Sequence, residues 1–356
     1  MTSSFRMPAE WSEHQGCLMA WPTRADLWGE VLPLAKGEYA EVARAVAEFE
    51  PVTMVAPPGS GEDARSWCGD DVTVVELPLD DSWFRDSAPL FVLDKSGRRA
   101  GVDFRFNAWG GKHAPFDSDD RVSALLLDHL GIERIPSGMI LEGGAITVDG
   151  EGTLITTEQC LLHPNRNPGM SREHIEAELK ARLGVTKVIW LPYGGLLDTE
   201  TDGHVDGVCA FAAPGTVVVS LPEDPAHPDH ARMRANRAVL EATSDAQGRP
   251  LKIIDIPQTS FADIADIADI ADIADIADIA DIAGGQVEVS YLNFYVANGG
   301  VVVPVAGAPQ DEAALAAIAA AYPGRKVVGV RAPAIAYGGG GVHCVTQQIP
   351  AAPRTA

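Results

Sequence analysis

The sequence predicts a mixed α/β protein, a five-bladed α/β propeller made of five ββαβ-type repeats around a common axis. An amphipathic helix followed by a short β-branched strand occurs five times, and an apolar hairpin accompanies the strands. The last hairpin is incomplete, because Val342–Ile349 has no return strand and Cys17–Trp21 is an apolar strand without a partner. Pairing these two segments would close a ring and remove its sheet edges.

Helical periodicity identifies the five helices, and β-branched runs identify the strands that follow them. In the third helix, Ile175, Leu179 and Leu183 recur at helical spacing, Ser171 is a candidate N-cap and Gly184 a candidate C-terminal residue. The predicted helix and strand pairs are Ala35–Phe49 with Val52–Val55, Arg121–Leu130 with Ile132–Ile135, Arg172–Leu183 with Lys187–Leu191, Ala231–Ala242 with Leu251–Ile256, and Asp311–Ala321 with Lys326–Val330.

Turn residues between apolar runs predict four complete hairpins. These are Ala88–Val92 with Ala100–Phe104, Ala145–Val148 with Leu154–Thr157, Val208–Phe211 with Val217–Leu221, and Tyr291–Val296 with Val301–Val305. A doubly wound α/β sheet is the alternative, and it fits less well because the hairpin recurs in every unit. We therefore expect a single domain over residues 1–356.

One segment departs from the repeat. Ala262–Ile282 consists of seven tandem Ala-Asp-Ile triplets. A period of three drifts around an α-helix and does not match the period of two of a strand. We interpret residues 262–282 as an expanded, low-complexity surface loop without chemistry.

Composition narrows the functional classes. The formal net charge of −23 over 356 residues argues against a nucleic-acid partner. It is compatible with a cationic substrate, although excess acid can equally serve solubility. No apolar run approaches the length of a membrane span, and residues 1–8 contain none that could act as a signal peptide, so we expect a cytoplasmic protein. Five dispersed cysteines without a C-x-x-C pair argue against disulfides and a zinc site.

Polar residues recur at comparable positions, near the start of each hairpin. They are Asp86, Glu142, His204 with Asp206, Asn293 and Cys344. Because equivalent positions of a cyclic repeat face the same axis, we expect these side chains to converge. A cysteine can attack a carbon electrophile and a histidine can move protons, while paired carboxylates suit a planar guanidinium.

Each candidate also has a structural interpretation. Cys17, Cys160 and Cys209 read as small core residues, and Cys68 is placed in a loop. His343 could replace His204 as the base, but adjacent residues of a strand face opposite sides, so only one of the two histidines should reach the thiol. Asp86 and Glu142 could merely pair with arginines.

Several motifs together resemble the agmatine deiminases of the guanidine-modifying pentein superfamily. They are Met7–Trp11, Met19–Pro22, Trp83–Asp86, Phe106–Lys112, Leu141–Gly144, Asn165–Pro168, Gly203–Asp206, Ser290–Tyr295 and Gly339–Cys344. These segments span nearly the whole chain. The Ala-Asp-Ile tract is the one departure from the family pattern.

The resemblance implies the pentein fold and a role for each motif residue. Cys344 would be the nucleophile and His204 the general acid and base, while Asp86 and Asp206 would hold guanidinium nitrogens. Glu142 would hold the guanidinium and orient His204. Trp83 would line the substrate site, and Glu200, four residues before His204, would meet the distal amine of agmatine.

The implied reaction needs no metal or other cofactor and converts agmatine to N-carbamoylputrescine. A homodimer is a further expectation from the family. Arginine or peptidyl-arginine deimination and amidino transfer remain as related alternatives. A non-catalytic, cation-binding propeller is an alternative of another class.

Overall fold

The computed structural model describes residues 5–258, 262–263 and 286–352 as a mixed α/β fold. Its strands are β1 (Phe5–Arg6), β2 (His14–Ala20), β3 (Val52–Ala56), β4 (Val72–Glu76), β5 (Leu90–Asp94), β6 (Arg99–Arg105), β7 (Glu133–Ile140), β8 (Ile146–Val148), β9 (Thr153–Thr157), β10 (Lys187–Leu191), β11 (Cys209–Ala213), β12 (Thr216–Ser220), β13 (Lys252–Ile256), β14 (Ala262–Asp263), β15 (Gln286–Val287), β16 (Tyr295–Ala297), β17 (Gly300–Val305), β18 (Lys326–Arg331) and β19 (Thr346–Pro350).

The helices of the described residues fall into two groups. Six have two or more turns: Leu32–Ala47, Gly61–Cys68, Asp119–Leu130, Arg172–Leu183, His230–Glu241 and Asp311–Ala321. The others are short: Ala25–Trp28, Phe84–Ser87, Ala108–Gly111, Glu158–Leu161 and Pro333–Tyr337, with 3₁₀ turns at Gly29–Val31 and Gly143–Ala145. All five predicted helix and strand pairs are present, with ends shifted by a few residues.

Four sheets share one plan, in which an antiparallel hairpin is followed by a helix and a third strand that runs parallel to the hairpin's second strand. They are β5-β6-β7, β8-β9-β10, β11-β12-β13 and β16-β17-β18. β1 extends the first of them through β5. The helix between the second and third strands is the connection that a parallel pair requires.

A fifth sheet, β19-β2-β3-β4, joins the two ends of the chain. β19 pairs antiparallel with β2, so that Thr346 faces Met19 and Gln348 faces Cys17. β3 then pairs parallel with β2, as the third strand does in the other sheets. The antiparallel pair of this sheet therefore comes from opposite termini.

Capping and packing explain a representative helix, Arg172–Leu183. The Ser171 hydroxyl accepts the backbone N–H of His174 at 3.4 Å, and Gly184 ends the helix in the left-handed conformation at φ 67°. Ile175 and Leu179 are buried in a cluster with strands of two sheets. The caps predicted from the sequence are confirmed here.

Two local predictions were wrong, and two elements were not predicted. Cys68 ends the helix Gly61–Cys68, and this helix and β4 were both missed. Its apolar stripe is short, since Ala64 and Cys68 are its main buried side chains, so the periodic signal is weak. His343 and Cys344 lie in a turn before β19 and not on a strand, so strand alternation does not decide which histidine faces the thiol.

The Ala-Asp-Ile tract lies outside the described residues except for its first two. Ala262 and Asp263 form β14 and pair antiparallel with β15, so the tract begins in a short strand and not in a loop. Among the described residues, no helix has the length and apolar character needed to cross a bilayer.

Candidate active site

Cys344 lies in a tight turn that several contacts hold in place. The side-chain carbonyl of Asn293 accepts the Cys344 N–H at 3.1 Å, and its amide nitrogen lies 3.2 Å from Sγ. The thiol donates to Oδ2 of Asp206 at 3.5 Å. A Cβ on Gly340 would lie 2.4 Å from the ring of Trp83 and 3.0 Å from Cβ of Cys344. Because glycine has no Cβ, the turn can pack directly against the ring of Trp83.

Asp86, His204 and Asp206 converge on one glycine. A Cβ added to Gly144 would lie 2.5 Å from Nδ1 of His204, 2.9 Å from Oδ2 of Asp206 and 3.0 Å from Oδ1 of Asp86. The N–H of Gly144 donates to Asp86 at 2.9 Å, and Trp109 Nε1 donates to the other oxygen of Asp86 at 2.9 Å. A side chain at position 144 would collide with all three groups.

Glu142 is placed beside this cluster by a buried arginine. Nε of Arg166 donates to Oε1 of Glu142 at 2.5 Å, and both side chains are fully buried. Arg166 also donates to Asp202 at 2.6 Å. Within the described part of the chain, Oε2 of Glu142 and both ring nitrogens of His204 have no hydrogen-bond partner. Glu142 therefore pairs with an arginine, and no hydrogen bond joins it to His204.

Cys160 completes a group with metal-ligand chemistry. One potential ligand atom from each of Glu142, Cys160 and His204 lies within 4.8 Å of the others. Glu142 has already committed one oxygen to Arg166. The expected independence from metals stays a prediction.

Burial and charge set the protonation of the site. Burial, and then the negative charges of Asp206 and Asp86, raise the pKa of the Cys344 thiol well above its ordinary value. Burial also raises the pKa of Asp86, although the nearby His204 opposes this. For Asp206, burial raises the pKa, but the hydrogen bond and charge of His343 outweigh burial and leave the pKa below its usual range. Asp206 is therefore the more strongly anionic carboxyl.

A cavity of about 310 Å³ opens next to the thiol. Trp83 stacks on Trp28, with ring centroids 5.8 Å apart, and forms part of its wall. Glu200 also lines it and lies 2.7 Å from Nε2 of His113. No arginine or lysine occurs among the described residues that line this cavity. It is aromatic and acidic, as a cationic substrate requires.

The predicted site residues therefore occupy two places. Cys344 and Asp206 are in contact, with His204 and Asp86 beside them and Glu142 behind His204. Trp83 and Glu200 lie along the cavity. Four contributors were missed by the sequence analysis: Arg166, Trp109, His113 and Glu10. All except His113 lie in motifs that carried the resemblance, which is the signal that could have found them.

A family model described as Porphyromonas-type peptidyl-arginine deiminase matches residues 6–350. The chain belongs to this family. It is 44% identical to an agmatine deiminase of Stutzerimonas stutzeri, over 98% of this chain and 96% of that protein. It is also 40% identical to an agmatine deiminase of Medicago truncatula, again over 98% and 96%.

A comparison of the fold with solved structures also finds agmatine deiminases. The structure of agmatine deiminase of Enterococcus faecalis superimposes with a TM-score of 0.90 at 35% identity, covering 98% of this chain and 96% of that one. The resemblance inferred from the motifs is confirmed, and the chain is a member of the agmatine deiminase group of the pentein superfamily.

Proposed function

We propose that this chain hydrolyses agmatine to N-carbamoylputrescine and ammonia through a covalent intermediate on Cys344. The observation that carries the proposal is the convergence of Asp86, His204 and Asp206 on Gly144, with the Cys344 thiol 3.5 Å from Asp206. The full-length similarity to agmatine deiminases supports the same activity. This arrangement provides a nucleophile, a proton carrier and two anions for one planar cation.

Substrate binding prepares the nucleophile. The guanidinium donates paired hydrogen bonds to Asp86 and Asp206, whose carboxylates match its fork geometry. Its positive charge favours the ionised form of Cys344, whose pKa the protein alone holds high. We assign Oε2 of Glu142, which lacks a partner among the described residues, to the substrate and to His204. The thiol gives its proton to His204, whose ring nitrogens have no partner among the described residues, and the thiolate then forms next to the carbon that it attacks.

The covalent step breaks one carbon–nitrogen bond. The thiolate of Cys344 attacks the guanidinium carbon and forms a carbon–sulfur bond. His204 gives a proton to one terminal nitrogen, which leaves as ammonia, so that a thiouronium remains on the enzyme. The carboxylates hold the cation while its carbon becomes tetrahedral.

Hydrolysis reverses the roles. His204, now neutral, takes a proton from water, and the resulting hydroxyl attacks the thiouronium carbon. The carbon–sulfur bond breaks and its electron pair returns to sulfur, which takes up the proton of the new hydroxyl group. The neutral ureido product then departs, and His204 releases its proton to the solvent. The protein's own residues perform every step, and the absence of a cofactor requirement stays a prediction.

We assign the amine end of agmatine to the same cavity. Glu200 and Asp81 add two carboxylates to its lining, whereas arginine would bring a carboxylate to this acidic wall. The family description nevertheless names peptidyl arginine, so arginine and an arginyl peptide are the necessary comparison substrates.

The fold proposal follows from the same residues. Asp86, Glu142, His204, Asn293 and Cys344 each precede the first strand of a different sheet: β5, β8, β11, β16 and β19. This equivalence supports five ββαβ units around an axis, forming one propeller domain over residues 1–356 that the β2–β19 pairing closes. Residues 262–282 would be an insertion in it.

Two further expectations complete the proposal. All five cysteines are free thiols, which suits the reducing cytoplasm where we place the enzyme. The homodimer implied by the family stays a prediction.

Ammonia release tests the function directly. Purified protein is incubated with agmatine, arginine and an arginyl peptide, and ammonia and ureido product are measured with and without a thiol alkylator. We expect turnover of agmatine above the other two and its loss on alkylation. Preference for arginine would replace agmatine as the substrate, and no turnover of any guanidine would favour a cation-binding protein.

A further inference from the structure

A chain of charged groups, buried except for the 15%-exposed side chain of Glu10, leads away from the site to Glu10, a residue with no part in the mechanism above. Nδ1 of His343 lies 2.9 Å from Oδ2 of Asp206, the oxygen that also accepts the Cys344 thiol. Nε2 of the same ring lies 3.0 Å from Oε1 of Glu10. Nη1 of Arg85 lies 4.0 Å from this oxygen of Glu10. Negative and positive groups therefore alternate from the thiol to Arg85.

Both ring nitrogens of His343 face carboxylates, so only the imidazolium can donate to both. Burial and Arg85 lower the pKa of His343, but Glu10 and Asp206 outweigh them, and its pKa is raised. For Glu10, burial raises the pKa, yet the charge of His343 and then of Arg85 bring it down to about 2. Glu10, Asp206 and Arg85 are the charged groups that the described residues place against His343. Their net effect favours the imidazolium.

The backbone of His343 is held independently of its ring. Its N–H donates to the carbonyl of Asn293 at 2.9 Å, and Nε of Arg85 donates to its carbonyl at 3.2 Å. The turn that carries Cys344 thus has supports that remain when the imidazole is replaced. The contacts of the imidazole ring with Asp206 and Glu10 are therefore not needed to hold the turn.

We infer that His343 is a positioning residue, a buried imidazolium that Glu10 keeps charged and that holds Asp206 as an oriented anion beside Cys344. The inference rests on the proposed function, because it assigns Asp206 to the guanidinium. A neutral neighbour would leave Asp206 buried with one fewer charged hydrogen bond, and this carboxylate would take up a proton more readily. Asp206 would then bind the guanidinium poorly.

The sign of the pH dependence follows from the geometry. Loss of the Glu10 charge lowers the pKa of His343, so the imidazolium deprotonates at lower pH. Activity that depends on the cation then falls earlier as the pH rises. The variant Glu10→Gln should move the alkaline limb of kcat/KM for agmatine to lower pH by about one pH unit. A shift of this size corresponds to the loss of one strong interaction that favours the imidazolium over the neutral ring.

The test combines kinetics with a direct titration. Imidazole nitrogen shifts are recorded by NMR in ¹⁵N-histidine-labelled protein, with His343→Gln assigning the signal. We expect His343 to stay protonated above the ordinary histidine range and to titrate lower in Glu10→Gln, with the alkaline limb following it. Asp103→Asn neutralises another buried carboxylate, paired with Arg134 away from the cavity, and should change neither.

A double variant separates positioning from mere packing. His343→Gln should lower kcat/KM about 10- to 100-fold at pH values below the parent's alkaline limb, where the imidazolium is present, as loss of a charged hydrogen bond does. Adding Glu10→Gln to it should cost nothing more, because Glu10 acts through His343. Additive losses, or an unshifted His343 titration in Glu10→Gln, would overturn the inference.

Two further outcomes are distinguishable. A parent protein whose His343 titrates as expected but that does not turn over agmatine would refute the proposed function and not the charged chain. If Glu10→Gln fails to fold, the parent titration decides, and a neutral His343 at pH 7 refutes the inference.

Discussion

Replacing Glu200 with glutamine tests whether the distal amine of the substrate selects agmatine. The Glu200 carboxylate lines the cavity, and 48% of its side chain is exposed, with Oε2 2.7 Å from Nε2 of His113. Glu200→Gln keeps the shape and removes the charge. The substrate ammonium would therefore lose one anion while the reacting end of the site is untouched.

The expected magnitude lies between two limits. A hydrogen bond to a charged group contributes about 1.5–3 kcal/mol, whereas an exposed ion pair contributes about 0–1 kcal/mol. Because Glu200 is half-exposed and also contacts His113, we expect a loss near 1 kcal/mol, about fivefold in kcat/KM. The loss should fall mainly on KM, since the amine is remote from the carbon that reacts.

The assay compares agmatine with butylguanidine, which has the same chain length and no amine. Glu200→Gln should lower kcat/KM for agmatine and leave butylguanidine unchanged. Glu48→Gln is a matched control, because Glu48 is 54% exposed and pairs with Lys326 at the surface. Equal effects on the two guanidines would show that Glu200 does not meet the amine.

Three more predictions concern the nucleophile, the buried ion pair and the tract. Cys344→Ser should abolish turnover without changing the melting temperature, because a serine hydroxyl is not ionised here; the absence of a Cys344 adduct after rapid quench and mass spectrometry of the parent would refute the covalent step. Arg166→Met should lower the free energy of unfolding in urea by about 3–5 kcal/mol, since it leaves Glu142 buried and unpaired. Lys326→Met, from a pair whose two side chains are both exposed, should cost much less, and equal costs would contradict the burial argument. Deleting whole triplets within Ala262–Ile282 should leave activity and melting temperature nearly unchanged, because loop length contributes to closure only slowly; a loss of several degrees would show that the tract packs on the body.

The repeated elements could be predicted because each has a local cause. Turn residues mark the hairpins, and apolar spacing with Ser171 and Gly184 marks a helix and its ends. The helix Gly61–Cys68 was missed because a short, mostly polar helix has little periodicity. Its position depends on contacts with Leu32–Ala47 and β4, which no local pattern encodes.

The site was predictable in residue type and only partly in contacts. Recurrence before each hairpin identified Cys344 and its neighbours. It could not show that Glu142 meets Arg166, or that Glu10 meets His343 across 333 positions of sequence. Such pairs depend on how the sheets come together. The strand wrongly predicted at Cys344 has the same origin, because that turn is held by Asn293, which is 51 positions away in the sequence.

The charge arrangement explains how a thiol and three carboxylates can share a buried site. Burial, Asp206 and Asp86 keep the pKa of Cys344 high, so the thiol stays protonated until a cation arrives. In the proposed mechanism, the guanidinium offsets the charge of the same carboxylates and supplies the carbon to be attacked, so the substrate also creates its nucleophile. The ureido product is neutral at that end and no longer stabilises the thiolate. Cys344 can then take a proton again, and the carboxylates no longer attract the product end, because it carries no positive charge. Charge complementarity thus favours binding before the reaction and release after it.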